Sequence, residues 1–190
     1  MQRREAIKQT AAMIGMTILG ADIFLTGCSI PDKRQGLFSK DDIALMDEIG
    51  ETILPDSDRS PGAKAAHIGE FMKSYINDCY GENDQEIFMA GLEQIQKDSR
   101  KSYHQDFLNI SNKKRFDLLS EYDVQSRASN NLKRIHFFTM IKQVTILGYF
   151  SSEVGATKAM RYNIGPGHYD GCTRYKDGDK ALYGYLSSIG

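Results

Sequence analysis

The chain has 190 residues, with 24 Lys+Arg against 25 Asp+Glu and a net charge of −1. Such a balance, with no basic stripe, argues against a nucleic-acid binder, and 41% hydrophobic residues including ten Tyr and nine Phe argue against a disordered chain. Three cysteines are too few and too scattered for a disulfide framework, so composition points to one folded domain.

The first 27 residues read as an export signal. A basic start (Arg3, Arg4, Lys8) precedes an apolar run from Thr10 to Leu25, interrupted by Gly15, Gly20 and Asp22. The run is shorter than the roughly 20 apolar residues of a spanning helix. Arg3-Arg4 followed by Lys8 resembles a twin-arginine signal, which exports folded proteins. Leu25-Thr26-Gly27-Cys28 resembles a bacterial lipobox, in which the cysteine becomes the first mature residue and carries acyl chains. Each buried CH₂ of such a chain contributes about 0.8 kcal/mol of membrane affinity. The chain therefore divides into a signal over 1–27, a polar tether over 28–38 and a domain over 39–190. The expected location is the periplasmic side of a bacterial membrane, anchored through Cys28 to the lipid bilayer.

The domain reads as all-α, a small bundle of about five helices. Ser39 before Lys40-Asp41-Asp42 is an N-cap with acids in the first turn, and Ile43, Met46, Ile49 and Ile53 follow at helical spacing. Pro55 stops that helix, and a turn-rich stretch over 55–62 follows. Ile68, Phe71, Met72, Tyr75, Ile76 and Cys79 form the clearest apolar stripe, with Cys79 read as a buried thiol. A third helix starts near Asn83 or Asp84 and carries Ile87, Phe88, Leu92 and Ile95. A fourth starts at Ser111, with Phe116, Leu119 and Tyr122 inward. After a polar gap at 126–131, a fifth runs from about Leu132 to Tyr149, with Phe137, Ile141, Val144 and Gly148 as its stripe, flanked by Phe138 and Leu147. From Ser151 onward glycines and tyrosines alternate without helical periodicity, which reads as an irregular tail; a stretch of this length is commonly functional.

The sequence carries no convincing reaction centre. His67, His104, His136 and His168 are far apart, and none pairs with another at the i, i+4 spacing of a helical metal site. His67 reads as a first-turn surface residue, and His136 as packed or half-buried. His168 lies in a polar loop. There is no C-x-x-C-H, dinucleotide fingerprint, P-loop or G-x-S-x-G. Asp56 and Asp58 fit turn positions better than a Ca²⁺ loop, because His67 stands where an EF-hand needs its bidentate glutamate. Asp41, Asp42, Asp47 and Glu48 read as a solvated helix face. Whether Cys79 and Cys172 meet is open, since spacing does not reveal disulfide geometry.

Two blocks carry a resemblance. The first is Glu51-Thr52-Ile53-Leu54-Pro55-Asp56 with Ser60-Pro61-Gly62-Ala63, then Ile68 and Phe71. The second is Phe137-Phe138, Gly148-Tyr149-Phe150-Ser151-Ser152, Gly155 and Pro166-Gly167-His168-Tyr169. In order and spacing they resemble the gluconate 2-dehydrogenase subunit 3 family. The resemblance implies a small exported accessory subunit, not catalytic alone and holding no metal or cofactor itself. It implies a large flavoprotein partner of the glucose-methanol-choline type, which holds FAD and oxidises a sugar or sugar acid, and a cytochrome c subunit that takes the electrons. The small subunit would assist maturation and lend its signal for co-export. Expected contacts with the partner are Pro61, Gly62, Phe137, Phe138, Tyr149, Tyr162, Pro166, Gly167, His168 and Tyr169, since aromatic residues are enriched in interface cores. Two other readings compete: a lipid-anchored carbohydrate-binding module with a pocket around Tyr162, His168 and Tyr169, and a small enzyme using His168.

Replacing Cys28 with Ala is expected to release the mature chain into the soluble fraction on membrane fractionation. Retention of the processed chain on membranes contradicts lipidation.

Overall fold

The computed structural model describes residues 38–128, 135–163, 172, 174 and 176–184. Arg3, Arg4, Lys8, Cys28 and the tether up to residue 37 lie outside the described residues. So do residues 129–134 and the stretch holding Pro166, Gly167, His168 and Tyr169; the fifth helix, expected from about Leu132, begins at Phe137, because Ile135 and His136 ahead of it are not helical and His136 is its cap.

Five α-helices form among the described residues, as the periodicity predicts. Helix α1 spans Lys40–Ile53. It opens with a capping box: Ser39 Oγ accepts the Asp42 N–H at 3.2 Å, and the Asp42 carboxylate accepts the Ser39 N–H at 2.8 Å. It buries Leu45, Met46 and Ile49. A 3₁₀ turn over Ala63–Ala66 leads into α2, Ile68–Cys79. His67 joins them in a left-handed conformation (φ 51°) and is exposed, as expected of a surface residue. Helix α2 buries Ile68, Met72 and Ile76, and its N-terminus is capped from a distance, the Asp47 carboxylate accepting the Gly69 N–H at 2.8 Å.

Helix α3, Glu82–Tyr103, is the longest and turns Phe88, Leu92, Ile95 and Ser99 inward. Phe38 packs edge-on against Phe88 at 6.0 Å, so the core begins one residue before the α1 cap. After a 3₁₀ turn over Phe107–Asn109 comes α4, Asn112–Ala128. Helix α5, Phe137–Ser151, is the most apolar and packs against all four other helices. Phe138, Met140, Ile141, Val144, Thr145 and Tyr149 are buried along it. Each such large apolar side chain withdrawn from water contributes about 1.5–3 kcal/mol. His136 caps α5: its Nδ1 accepts the Phe138 N–H at 3.2 Å, which requires the neutral ring, and burial lowers its pKa.

Several expectations are corrected. Cys79 is exposed, because the last turn of α2 passes beyond the core while Asn77 turns in. Phe116 is exposed, and Leu147 is too. The inward stripe of α4 is Arg115, Leu118, Leu119 and Tyr122, so an arginine holds a position that apolar periodicity assigns to a hydrophobe. Its guanidinium donates from Nε to the Phe107 carbonyl at 3.0 Å, from Nη2 to the Leu108 carbonyl at 2.6 Å, and from Nη1 to the Glu48 carboxylate and Asn112. Nor are Asp47 and Glu48 merely a solvated face: the first caps α2, and the second takes both Arg115 and Lys64. The tail is also more regular than its composition implies. Gly155–Ala159 forms a π-helical turn, and Arg161–Asn163 (β1) pairs in parallel with Leu182–Gly184 (β2). No helix among the described residues is long and apolar enough to cross a membrane.

Arg115 and Glu48 are nearly enclosed, so removing the arginine leaves Glu48 to Lys64 alone and strands the Phe107 and Leu108 carbonyls. Arg115→Ala is expected to cost about 3–5 kcal/mol in urea denaturation, and Arg100→Ala, on an open ion pair with Asp106, under about 1 kcal/mol. Equal losses would contradict this account of the arginine.

Candidate partner interface

The first sequence block and the Gly148–Gly155 part of the second meet at one pole of the bundle, and Glu51 organises it. This residue stands in the last turn of α1, where the chain must leave the helix before Pro55 and return to begin α2. Its Oε1 accepts the Asp56 N–H at 2.9 Å and its Oε2 accepts the Lys64 N–H at 2.8 Å. One carboxylate thus pins both ends of the intervening loop. The loop closes on itself by Ala63 N–H to the Leu54 carbonyl at 2.9 Å and by reciprocal backbone bonds between Ser57 and Ser60 at 3.0 and 3.2 Å. Asp58 lies in the turn that the Ser57–Ser60 bonds close, and Asp56 enters it with its N–H held by Glu51.

Gly62 is buried directly against this carboxylate. A Cβ there would stand 2.2 Å from a Glu51 oxygen, so only glycine allows the approach. The second block arrives from α5: the Tyr149 hydroxyl donates to the Pro61 carbonyl. One residue earlier, Gly148 lets Ile68 and Phe71 pack directly on the helix, as the tight-packing reading of this glycine expects. Ser152 then ends α5. Its N–H reaches the Gly148 and Tyr149 carbonyls at 3.1 Å, and its Oγ accepts the Gly155 N–H at 3.0 Å. Gly155 rests on the Tyr149 carbonyl so closely that a Cβ would lie 1.9 Å from that oxygen. The tail joins the same pole through the Lys180 ammonium, which donates to the Arg59 carbonyl at 3.2 Å and to that of Lys158.

The electrostatics at this end are local and paired. Lys64 is bound to Glu48 at 2.8 Å, and that hydrogen bond raises its pKa. On the far side of α4, the Tyr122 hydroxyl donates to Asp98, which lowers the Asp98 pKa, while burial first and this bond second raise that of Tyr122.

The residues expected to touch a partner fall into three groups. Gly62, Phe138 and Tyr149 are buried in the chain's own interior, and Phe137 is half-buried, its ring edge-on to Tyr122 at 5.1 Å. Their visible work is internal. Pro61 is partly exposed, and Tyr162, 48% exposed, lines a hollow of about 640 Å³ with Arg161, Asp179 and Lys180. Pro166, Gly167, His168 and Tyr169 lie outside the described residues.

The first block and the Gly148–Gly155 stretch therefore fasten this pole, while Phe137-Phe138 lie at the other end of α5. The family model of gluconate 2-dehydrogenase subunit 3 matches residues 40–167. The chain belongs to the gluconate 2-dehydrogenase subunit 3 family. The match begins at the first residue of α1 and takes in every helix described above. Membership makes this chain a subunit of the oxidoreductase type that the family is named for. No curated protein and no solved structure matches it.

Sequence reasoning missed the roles of Glu51 and Asp47. The readable signal for Glu51 was an acid in a last helical turn, where the macrodipole disfavours it, just before a proline-bounded turn. Nothing in sequence links Asp47 to Gly69 across 22 positions. Glu51→Ala removes two charge-assisted bonds and is expected to destabilise the subunit by about 2–4 kcal/mol. Glu93→Ala, on an open face of α3, is expected to stay within about 0.5 kcal/mol. Chemical denaturation of both variants checks this, and similar losses would contradict it.

Proposed function

We propose that this subunit binds a large flavin-dependent dehydrogenase of the glucose-methanol-choline type, assists its maturation and helps to export it. The observation that carries the reading is the family match over the helical bundle. The subunit's own residues hold a shape: buried arginine, capped helices and a fastened pole yield a rigid body. In this reading FAD and the reacting groups belong to the partner, which oxidises a sugar or sugar acid, and a cytochrome c subunit takes the electrons.

The N-terminal sequence supports the export half. A flavoprotein that has taken up its cofactor must cross a membrane folded, and a twin-arginine route carries folded cargo. Arg3, Arg4 and Lys8 of the small chain would serve both subunits. Acylation of Cys28 would then hold the complex at the periplasmic side of the membrane. Residues 29–37, about 30 Å at full extension, would bound the reach between the bilayer and the bundle.

Replacing Arg3-Arg4 by Lys-Lys is expected to leave both this subunit and the flavin-loaded partner in the cytoplasm, as read by fractionation and flavin absorbance. A partner that still reaches the periplasm contradicts the shared signal.

A further inference from the structure

A second surface of the bundle is open. The end of α1, α4 and α5 border an open groove of about 370 Å³, its floor the core residues Leu119 and Phe138 and its apolar rim Ile53, Phe116 and Val124. Phe116 and Val124 are 61% and 67% exposed, unusual for large apolar side chains that nothing in the fold requires there. Lys142 lines the same groove, and Ile146, one turn further along α5, is exposed as well, so the apolar surface continues along that helix.

The charge at the groove's far end is unbalanced. Asp123 receives both Arg127, at 2.6 Å, and Lys142. Two cations share one carboxylate, which leaves a net positive rim, and the Arg127 side chain is three-quarters exposed with most of its donor fork turned to solvent. The walls are helices, whose backbone groups are engaged in their own ladders. They offer a strand no edge to pair with, whereas an apolar floor with a charged end suits a helix laid in a groove. From Phe116 to Arg127 the α4 wall rises about 16 Å, or three helical turns.

We infer that this groove seats an amphipathic helix of the dehydrogenase's large subunit, its apolar stripe on Phe116 and Val124 and an acidic residue on Arg127. The inference rests on the accessory-subunit reading and adds to it the face that makes the contact. It also assigns a use to Phe116, an aromatic that the packing of the bundle leaves outside. Anchors of this kind dominate interface energies, and a buried charge in their place opposes docking.

The test measures binding of the full detergent-solubilised chain to the immobilised, flavin-loaded large subunit. Phe116→Glu and Val124→Glu are each expected to weaken Kd about thirtyfold or more, with helical content and Tm unchanged, since both side chains are already exposed. Arg127→Glu is expected to weaken it about five- to tenfold and to flatten its salt dependence. Leu182→Glu, an exposed apolar residue of β2, is the control and leaves Kd unchanged. Should the unaltered chain fail to bind the flavin-loaded subunit, the accessory reading falls and the inference falls with it. If the unaltered chain binds and the folded groove variants bind equally well, the inference alone is overturned. It is equally overturned if these variants abolish only self-association in size-exclusion chromatography, or only flotation with phosphatidylglycerol vesicles.

Discussion

The pole where α1 gives way to α2 depends on the Glu51 carboxylate. A negative charge in the last turn of a helix opposes the macrodipole, at about 0.3–1 kcal/mol. Here that cost is offset by two backbone N–H donors, Asp56 from the start of the loop and Lys64 from its end. With both ends pinned, the Pro61 carbonyl is presented to the Tyr149 hydroxyl, which joins the first half of the chain to the last helix. Gly62, Gly148 and Gly155 are small because backbone, ring and carboxylate occupy the space where their side chains would be. The first sequence block and the end of α5 thus form one mechanical joint.

This gives the molecule two unlike regions. At the joint, polar groups are matched internally, and Gly62, Ala63, Ile68 and Tyr149 are buried. Along α4 and α5, large apolar groups and a surplus cation face solvent. A subunit whose work is to hold another protein needs both a body stiff enough to keep its contact face in shape and a face left unsatisfied by its own fold. Arg115 contributes to the first. By drawing in Glu48 and two carbonyls of the preceding turn it sets how α4 lies on α1, and that setting leaves Phe116 outside.

Much of the helical architecture was legible in the residues. The Ser39 cap, the Pro55 stop and the Ile68–Ile76 stripe each express a local rule, and each appears where the rule puts it. The face of α4 was not legible. Periodicity ranks Phe116 above Arg115, and only the tertiary partners of Arg115 reverse that order. In helix α5 the signal for the exposed side was Lys142 and Gln143, one turn before Ile146 and Leu147, but the apolar residues at 146 and 147 obscured it. Asp47 and Glu48 look like solvated acids until α2 and α4 are brought against them. The pairing of β1 with β2 joins segments of three residues with no alternation to announce them. Of the expected partner contacts, Gly62, Phe138 and Tyr149 are buried, so their visible role is internal support.

The central claim is that this chain works as the small partner of a flavin-bearing dehydrogenase. Native mass spectrometry of the assembly extracted gently from its own membrane tests it most directly. The account predicts this subunit in a stoichiometric complex with a larger chain that retains flavin. Recovery of the chain as a stable monomer, with no flavin-bearing protein in association, would contradict it.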